Sequence, residues 1–438
     1  MNRVRPLPTA LLAALLLVLA QAAPAAPDAP VTAVRAAHLF DGRSDVLLSP
    51  GVVLVQDGRI VAAGSAVPVP KDAQIIDLGE ATILPGFIDL HTHVTGESGD
   101  DWAATAIAGM RRTVPEATLR ASVFARRLLD AGFTTIRDLG GSDWIDAGLR
   151  DGIEAGYVVG PRILTATQSL GARGGHCDST GFPYRFFGPE PGVEQGIASG
   201  PDEFRDAVRF AVKYGADVIK VCATGGVLSL ADEVDTPQLS QAEMDAIVDE
   251  AHRLRKKVAV HAHGATGAKF AIRAGADSIE HGSFLDDEAL RLMKEKGTYL
   301  VPTLLAGEYA GGRRATRSYP PEIAAKAKAA VAARSDMLRR ALAMGVKVAF
   351  GTDSAVSPHG VTAQEFALLV EHGMSPAAAL RSATAVAAEA LGLAREIGTI
   401  EPGKVADLIA VPGNPLQDVG ATERVSFVMK AGLLHKRP

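Results

Sequence analysis

Ile83-Leu-Pro-Gly-Phe-Ile-Asp-Leu-His-Thr-His93 is an apolar run of strand length that ends in two histidines spaced i, i+2. Side chains alternate faces along a strand, so the His91 and His93 imidazoles point the same way. Two histidines on one face at the end of a buried strand form half of a metal site. Pro85 suits the entry of the strand, where no ladder hydrogen bond is lost. A pair of histidines satisfied by backbone carbonyls is the alternative, and the rest of the chain decides between the two.

Downstream of this stretch one theme repeats: helix, glycine, apolar strand. Leu119–Ala131 ends at Gly132 and leads into Thr134–Leu139, and Phe204–Tyr214 ends at Gly215 before Asp217–Cys222. Lys269–Ala274 ends at Gly275 before Ser278–Phe284, and Leu338–Met344 ends at Gly345 before Lys347–Thr352. Glycine just past a helix supplies the left-handed residue that closes it. With Ile83–His91, Arg162–Thr167, Lys257–His263 and Thr298–Leu304 the strands come to eight. Eight strands alternating with helices predict an α/β chain folded as a (β/α)8 TIM barrel over residues 83–396. A doubly wound sheet also alternates, but no Gly-x-Gly-x-x-Gly follows the first strand.

Residues 31–82 read differently. Asp41-Gly42 and Asp57-Gly58 are hairpin turn signals between short apolar strands. Asp57-Gly-Arg-Ile-Val-Ala-Ala-Gly64 has a distant echo in Gly403-Lys-Val-Ala-Asp-Leu-Ile-Ala-Val411. A small β-sandwich built from 31–82 and 397–438 is therefore expected beside the barrel.

Barrel chemistry gathers at the C-terminal ends of the strands. Those ends carry His91 and His93, Arg137-Asp138, the loop Gly171–Cys177, Lys220, His261 and His263, His281, and Asp353. Of the chain's 11 histidines, five fall at these ends outside the Gly171–Cys177 loop, which a random scatter would not produce. Lys220, in Asp-Val-Ile-Lys-Val-Cys, is the anomaly. An ammonium inside an apolar strand is costly unless neutralised or paired, and an isolated case would be read as a salt bridge or a snorkelling side chain. Here it lies among histidines that should bind cations. Burial depresses a lysine's pKa, and a neutral amine reacts with carbon dioxide. The carbamate formed is an anion with two oxygens, able to bridge two metals.

This ordered set, His91-x-His93, Lys220, His261, His281 and Asp353 at successive strand ends, resembles the binuclear metal-dependent amidohydrolase superfamily. The flanking β unit resembles it too, so the likeness covers nearly all of the chain after the leader. Gly171-Ala-Arg-Gly-Gly-His176, Val258-Ala-Val-His-Ala-His-Gly264 and Ser278-Ile-Glu-His-Gly282 are similar to the imidazolonepropionase-like branch. That branch holds Xaa-Pro and Xaa-Arg carboxypeptidases and exported enzymes that cleave the amide of ochratoxin A.

The resemblance implies two divalent metal ions, with zinc expected from the imidazole and carboxylate ligands. His91, His93 and Asp353 would hold the more buried ion, His261 and His281 the more exposed one, and carboxylated Lys220 would bridge them. It implies hydrolysis by a hydroxide shared between the metals, with Asp353 taking its proton and passing it to the leaving amine. The expected substrate is a dipeptide or an N-acyl amino acid, cleaved at the C-terminal amide to release an amino acid. It also implies a homo-oligomer, with an octamer among the expected states.

His263 and His176 are expected to contact substrate, and a capping hydrogen bond is the plain alternative for His263. Arg173 is read as a solvated loop residue, Asp89 as a structural hydrogen-bond acceptor, and Cys222 as packing. His38, His252, His359, His372 and His435 are read as surface or structural. Val227, Leu228 and Leu230, after the fourth strand, are expected to form an apolar wall for the acyl group.

The bulk numbers agree with an enzyme. The 438 residues are 47% hydrophobic and 22% charged, with a net charge of −5 and no long basic run, so nothing points to nucleic acid. Arg3 and Arg5, the short apolar stretch Ala10–Ala20 and Ala20-Gln-Ala22 predict a signal peptide over residues 1–22 and an exported, periplasmic or secreted protein. The apolar stretch is too short to span a bilayer, and no cysteine near the cleavage region offers a lipid anchor. Two cysteines in so long a chain are no disulfide framework, and their pairing is left open.

Two other readings compete. A mononuclear deaminase or cyclic-amide hydrolase of the same superfamily would lack the bridging lysine and often carries an acid where Gly264 stands. A non-catalytic exported metal-binding protein would have no use for Asp353. Metal stoichiometry separates all three.

Overall fold

The computed structural model describes residues 30–437 apart from residues 187, 231, 316 and 317; the signal-peptide reading over 1–22 lies outside the described residues. Parallel strands build the centre. They are β1 (Phe87–Thr92), β2 (Phe133–Asp138), β3 (Arg162–Thr165), β4 (Val218–Cys222), β5 (Lys257–Gly264), β6 (Ser278–Phe284) and β7 (Tyr299–Val301). β1, β2 and β3 pair in that order, and β4 to β7 pair in sequence. Just past β3, Ser169–Ala172 pairs with β4, and Asp217 N donates to Thr165 O at 2.7 Å. Together they make an α/β fold of the TIM-barrel type.

Two strand boundaries differ from the sequence reading. The run Ile83–His91 is not one strand but parts of two. Ala81–Pro85 pairs antiparallel with Leu408–Pro412, and β1 starts only at Phe87. Gly86 makes the break: its N–H donates to Asp407 O at 2.8 Å, and a Cβ there would sit 2.1 Å from Thr134 Oγ1. The eighth segment, 347–353, is not a regular strand. It is nevertheless bonded on both sides: Leu300 N to Lys347 O at 2.9 Å, Leu90 N to Phe350 O at 3.0 Å, and Asp353 N to His91 O at 2.7 Å.

Helices cover the outside as the glycine pattern predicts. Ala265–Ala274 closes at Gly275 (φ 102°) and Pro321–Met344 closes at Gly345 (φ 78°), both in the left-handed region that glycine enters without strain. Phe87, Phe133, Phe350 and Phe366 meet with ring centroids 4.5 to 5.5 Å apart and anchor the layer under the helices. Truncating one of them to alanine would cost about 3–5 kcal/mol.

The two chain ends form two further sheets. One runs Arg59–Gly64, Gly51–Gln56, Thr32–Ala36, Gln74–Asp77; the other runs Leu433–Lys436, Phe427–Lys430, Leu408–Pro412, Ala81–Pro85, His38–Leu39. Val34, Val53 and Ile60 of the first share a buried cluster with Ile83, Leu408 and Phe427 of the second. The two echoing stretches touch: Ile60 N donates to Lys404 O at 2.9 Å and Gly403 N to Ile60 O at 2.8 Å. Among the described residues no helix is long and apolar enough to cross a membrane.

Candidate active site

All eight residues singled out for metal or substrate line one cavity of about 260 Å³: His91, His93, His176, Lys220, His261, His263, His281 and Asp353. Strand periodicity brings them there. His91 is interior on β1, with His93 just beyond its end, and β5 presents His261 and His263 on the same side. His263 lies within the strand, since β5 continues to Gly264.

The donor atoms fall into two groups. His91, His93 and Asp353 bring theirs within 4.8 Å of one another, and so do His261, His263 and His281. His91 Nε2 is 3.6 Å and His93 Nε2 3.3 Å from Asp353 Oδ1. Two of these residues, and Thr303 beside one of them, sit at unusual backbone positions. His281 (φ 68°), Asp353 (φ 56°) and Thr303 (φ 48°) all lie in the left-handed region, which stores strain in non-glycine residues and clusters at functional sites.

Outer contacts aim the rings. His93 Nδ1 donates to Gly140 O at 2.9 Å, and His91 Nδ1 donates to the Glu280 carboxylate at 2.9 Å. His281 Nδ1 meets Thr303 Oγ1 at 2.7 Å and His263 Nδ1 meets Ser283 Oγ at 2.9 Å. Each contact leaves Nε2 free, the arrangement by which partners orient metal-ligating histidines. Burial, aided by Lys220 and neighbouring rings, holds His91, His261 and His281 far below the usual imidazole pKa, so their lone pairs are available at neutral pH. This donor set of neutral imidazoles with one carboxylate fits divalent metals such as zinc.

Lys220 is 3% exposed, and burial lowers its pKa to about 8 against the opposing pull of Glu280 and Asp353. Burial also raises the Asp353 carboxyl, with His93 and Lys220 drawing it back. Asp89 behaves as read: its carboxylate accepts from His91 N, Thr352 N and Thr352 Oγ1. Arg173 is exposed, and His359 is a buried structural residue bonded to Gly96 O and stacked on Phe124. Val227 and Leu228 line the cavity, while Leu230 lines an adjoining outer one together with Trp102, Phe182 and Tyr319.

Two features lie beyond the sequence reading. The first is Glu280, fully buried, which links His91 to Arg137 Nη2 at 2.8 Å; its place beside His281 was the only signal. The second corrects the reading of Cys222 as packing: it is disulfide-bonded to Cys177, with both residues on the cavity wall.

The amidohydrolase family model matches residues 82–434, the barrel strands and most of the C-terminal sheet. The chain belongs to the amidohydrolase family. Within that family it is 33% identical over 432 residues to an ochratoxinase of Aspergillus niger, covering 93% of this chain and 87% of the relative. A crystal structure of a Xaa-Pro dipeptidase with methionine bound in the active site superposes with a TM-score of 0.88 at 40% identity, over 93% of this chain and all (100%) of the other. An imidazolonepropionase of Sphingopyxis alaskensis is 28% identical over 429 residues, covering 89% of this chain and 92% of the relative. Amidohydrolases typically use divalent metals, and the two donor groups are where this member would hold them.

Proposed function

We propose that this amidohydrolase carries two divalent ions, zinc by ligand type, and cleaves a C-terminal amide of a dipeptide or N-acyl amino acid to release the amino acid. The observation that carries the reading is the convergence of His91, His93 and Asp353, of His261 and His281, and of a buried lysine on one cavity, with His263 beside the second group and left for substrate. Likeness to an ochratoxinase and a Xaa-Pro dipeptidase supports the bond type. His91, His93 and Asp353 would hold one ion, His261 and His281 the other, and Lys220, carboxylated by carbon dioxide, would serve both.

When bound, such a metal pair supplies an acidified water and polarises the scissile carbonyl. The chain's own residues do the rest. Asp353, a carboxylate with a raised pKa, accepts a proton at Oδ1 or Oδ2 and returns it to the leaving nitrogen. His263 and His176 meet the substrate, their rings held by Ser283 and Ser229. Val227 and Leu228 exclude water from the acyl side and favour bulky acyl donors.

Release of amino acid by the zinc-loaded protein from N-acyl amino acids and dipeptides, varied at the C-terminal residue, tests the reading. No release from any of them overturns it. We further infer export with cleavage near Ala22, from the basic, apolar, small-residue order of residues 1–22. The mass of the mature protein checks this, and an intact Met1 on exported material contradicts it. Assembly into a homo-oligomer belongs to the same proposal, and light scattering decides it.

A further inference from the structure

His176 is held on every side. Its backbone N–H donates to Gln238 Oε1 at 2.9 Å, and its ring stacks on His261 with centroids 4.3 Å apart. Ser229 Oγ donates to Asp232 Oδ1 at 2.6 Å and therefore accepts from His176 Nδ1 at 2.9 Å. Asp232 also takes a hydrogen bond from Gln238 Nε2 at 2.9 Å and pairs with Lys326 of the long helix at 3.1 Å. The space for the ring is made by glycine. A Cβ on Gly226 would fall 2.1 Å from His176 Cε1 and Nδ1, and one on Gly171 would fall 2.7 Å from Cys177 Cβ.

The residue after His176 is Cys177, bonded to Cys222, and Cys222 is two residues beyond Lys220 on the same face of β4. These are the chain's two cysteines, 45 residues apart in sequence, and both line the cavity. Just before the loop Gly171–Cys177, Ser169 and Leu170 pair briefly with Lys220 and Val221 of β4.

We propose that the Cys177–Cys222 disulfide is a covalent strap that positions His176 in the substrate cavity, so that substrate affinity depends on the bond being oxidised. Cys177 and Cys222 are positioning residues: they act through His176. A phosphine reductant reverses the strap. It attacks one sulfur and expels the other as a thiolate, and water then releases the second thiol with formation of the phosphine oxide. Two electrons pass from phosphorus to the sulfur pair, and both cysteines end as thiols. The loop is then tied by hydrogen bonds alone, and the ring no longer has a fixed reference to Lys220.

The activity arm rests on the amide-hydrolase reading; the structural arms do not. Thiol titration of unfolded, unreduced protein should find no free thiol, and two after phosphine treatment. Hydrogen exchange over residues 171–178 in the folded metal-loaded protein should quicken on reduction. With an N-acyl amino acid as probe, reduction, C177S/C222S and Gly226→Ala should each raise KM by roughly tenfold while kcat and bound metal hold, as expected when a positioning contact is lost. Two free thiols in the untreated protein, or unchanged exchange on reduction, overturn the strap. Unchanged KM in both the reduced wild type and C177S/C222S overturns its link to the substrate. If the wild type turns over no amide at all, the substrate reading fails, while exchange and thiol count still decide the strap.

Discussion

His91 Nδ1 lies 2.9 Å from Glu280 Oε2, and both side chains are closed to solvent. The contact is one link in a chain across the barrel interior. Arg137 donates from Nε to Leu90 O at 2.6 Å, from Nη1 to Ser278 Oγ at 3.2 Å and from Nη2 to Glu280 Oε1 at 2.8 Å. Glu280 thus sets the tautomer of His91 and is itself neutralised by Arg137. Both tasks need a carboxylate.

Glu280→Gln should therefore weaken metal binding by about 10–100-fold, the usual effect of removing a partner that orients a ligand. The buried Arg137 charge would lose its counter-ion, so stability should also fall by roughly 3–5 kcal/mol. Metal affinity by competition with a chelating dye, together with urea unfolding, measures both. Unchanged affinity would remove Glu280 from the site.

Glu365 gives a pH test away from the donor groups. Its carboxylate accepts from Leu304 N at 3.0 Å and Leu305 N at 2.6 Å, and burial raises its pKa from 4.5 to about 8. Between those values the folded protein keeps a proton that the unfolded chain releases. The stability from this group is thus complete below pH 4.5 and declines as pH rises to about 8. Glu365→Gln cannot ionise, so its Tm relative to the wild type should improve from pH 5 to about pH 8 and level off above it. A constant Tm difference across that range would mean that Glu365 does not titrate there.

Recognition of the product's carboxylate is tested by amidation. A carboxylate bound in the cavity gains charge-assisted hydrogen bonds of about 1.5–3 kcal/mol each, roughly ten- to a hundredfold in binding. Converting the substrate's free carboxylate to an amide should lower kcat/KM at least ~tenfold without changing metal content. His263→Ala should narrow the gap between acid and amide. Equal rates for the two in the wild type would point instead to a general amidase or a cyclic-amide hydrolase.

The site residues are legible in the sequence because the side-chain period of a strand is fixed. Once Lys257–Gly264 is a strand, His261 and His263 must share a face, and the same argument places His91. The helix-closing glycines Gly132, Gly215, Gly275 and Gly345 mark where four of the strands begin. What escapes the sequence depends on distance in space. Nothing local pairs Cys177 with Cys222, or Glu280 with His91, 189 residues away. The break at Gly86 is hidden because Ile83–Ile88 is apolar throughout, and only the crossing of Thr134 demands a residue without a side chain. The left-handed backbone at His281, Thr303 and Asp353 is equally silent, since none of these residue types announces it.

The central claim is that two ions act together through Lys220, and titrating metal back into chelator-stripped protein tests it most directly. Hydrolysis of an N-acyl amino acid should rise until two equivalents of zinc are bound per chain, and Lys220→Ala should bind fewer and stay inactive. Activity that saturates at one equivalent, or a Lys220→Ala variant with full activity and both metals, would contradict the account.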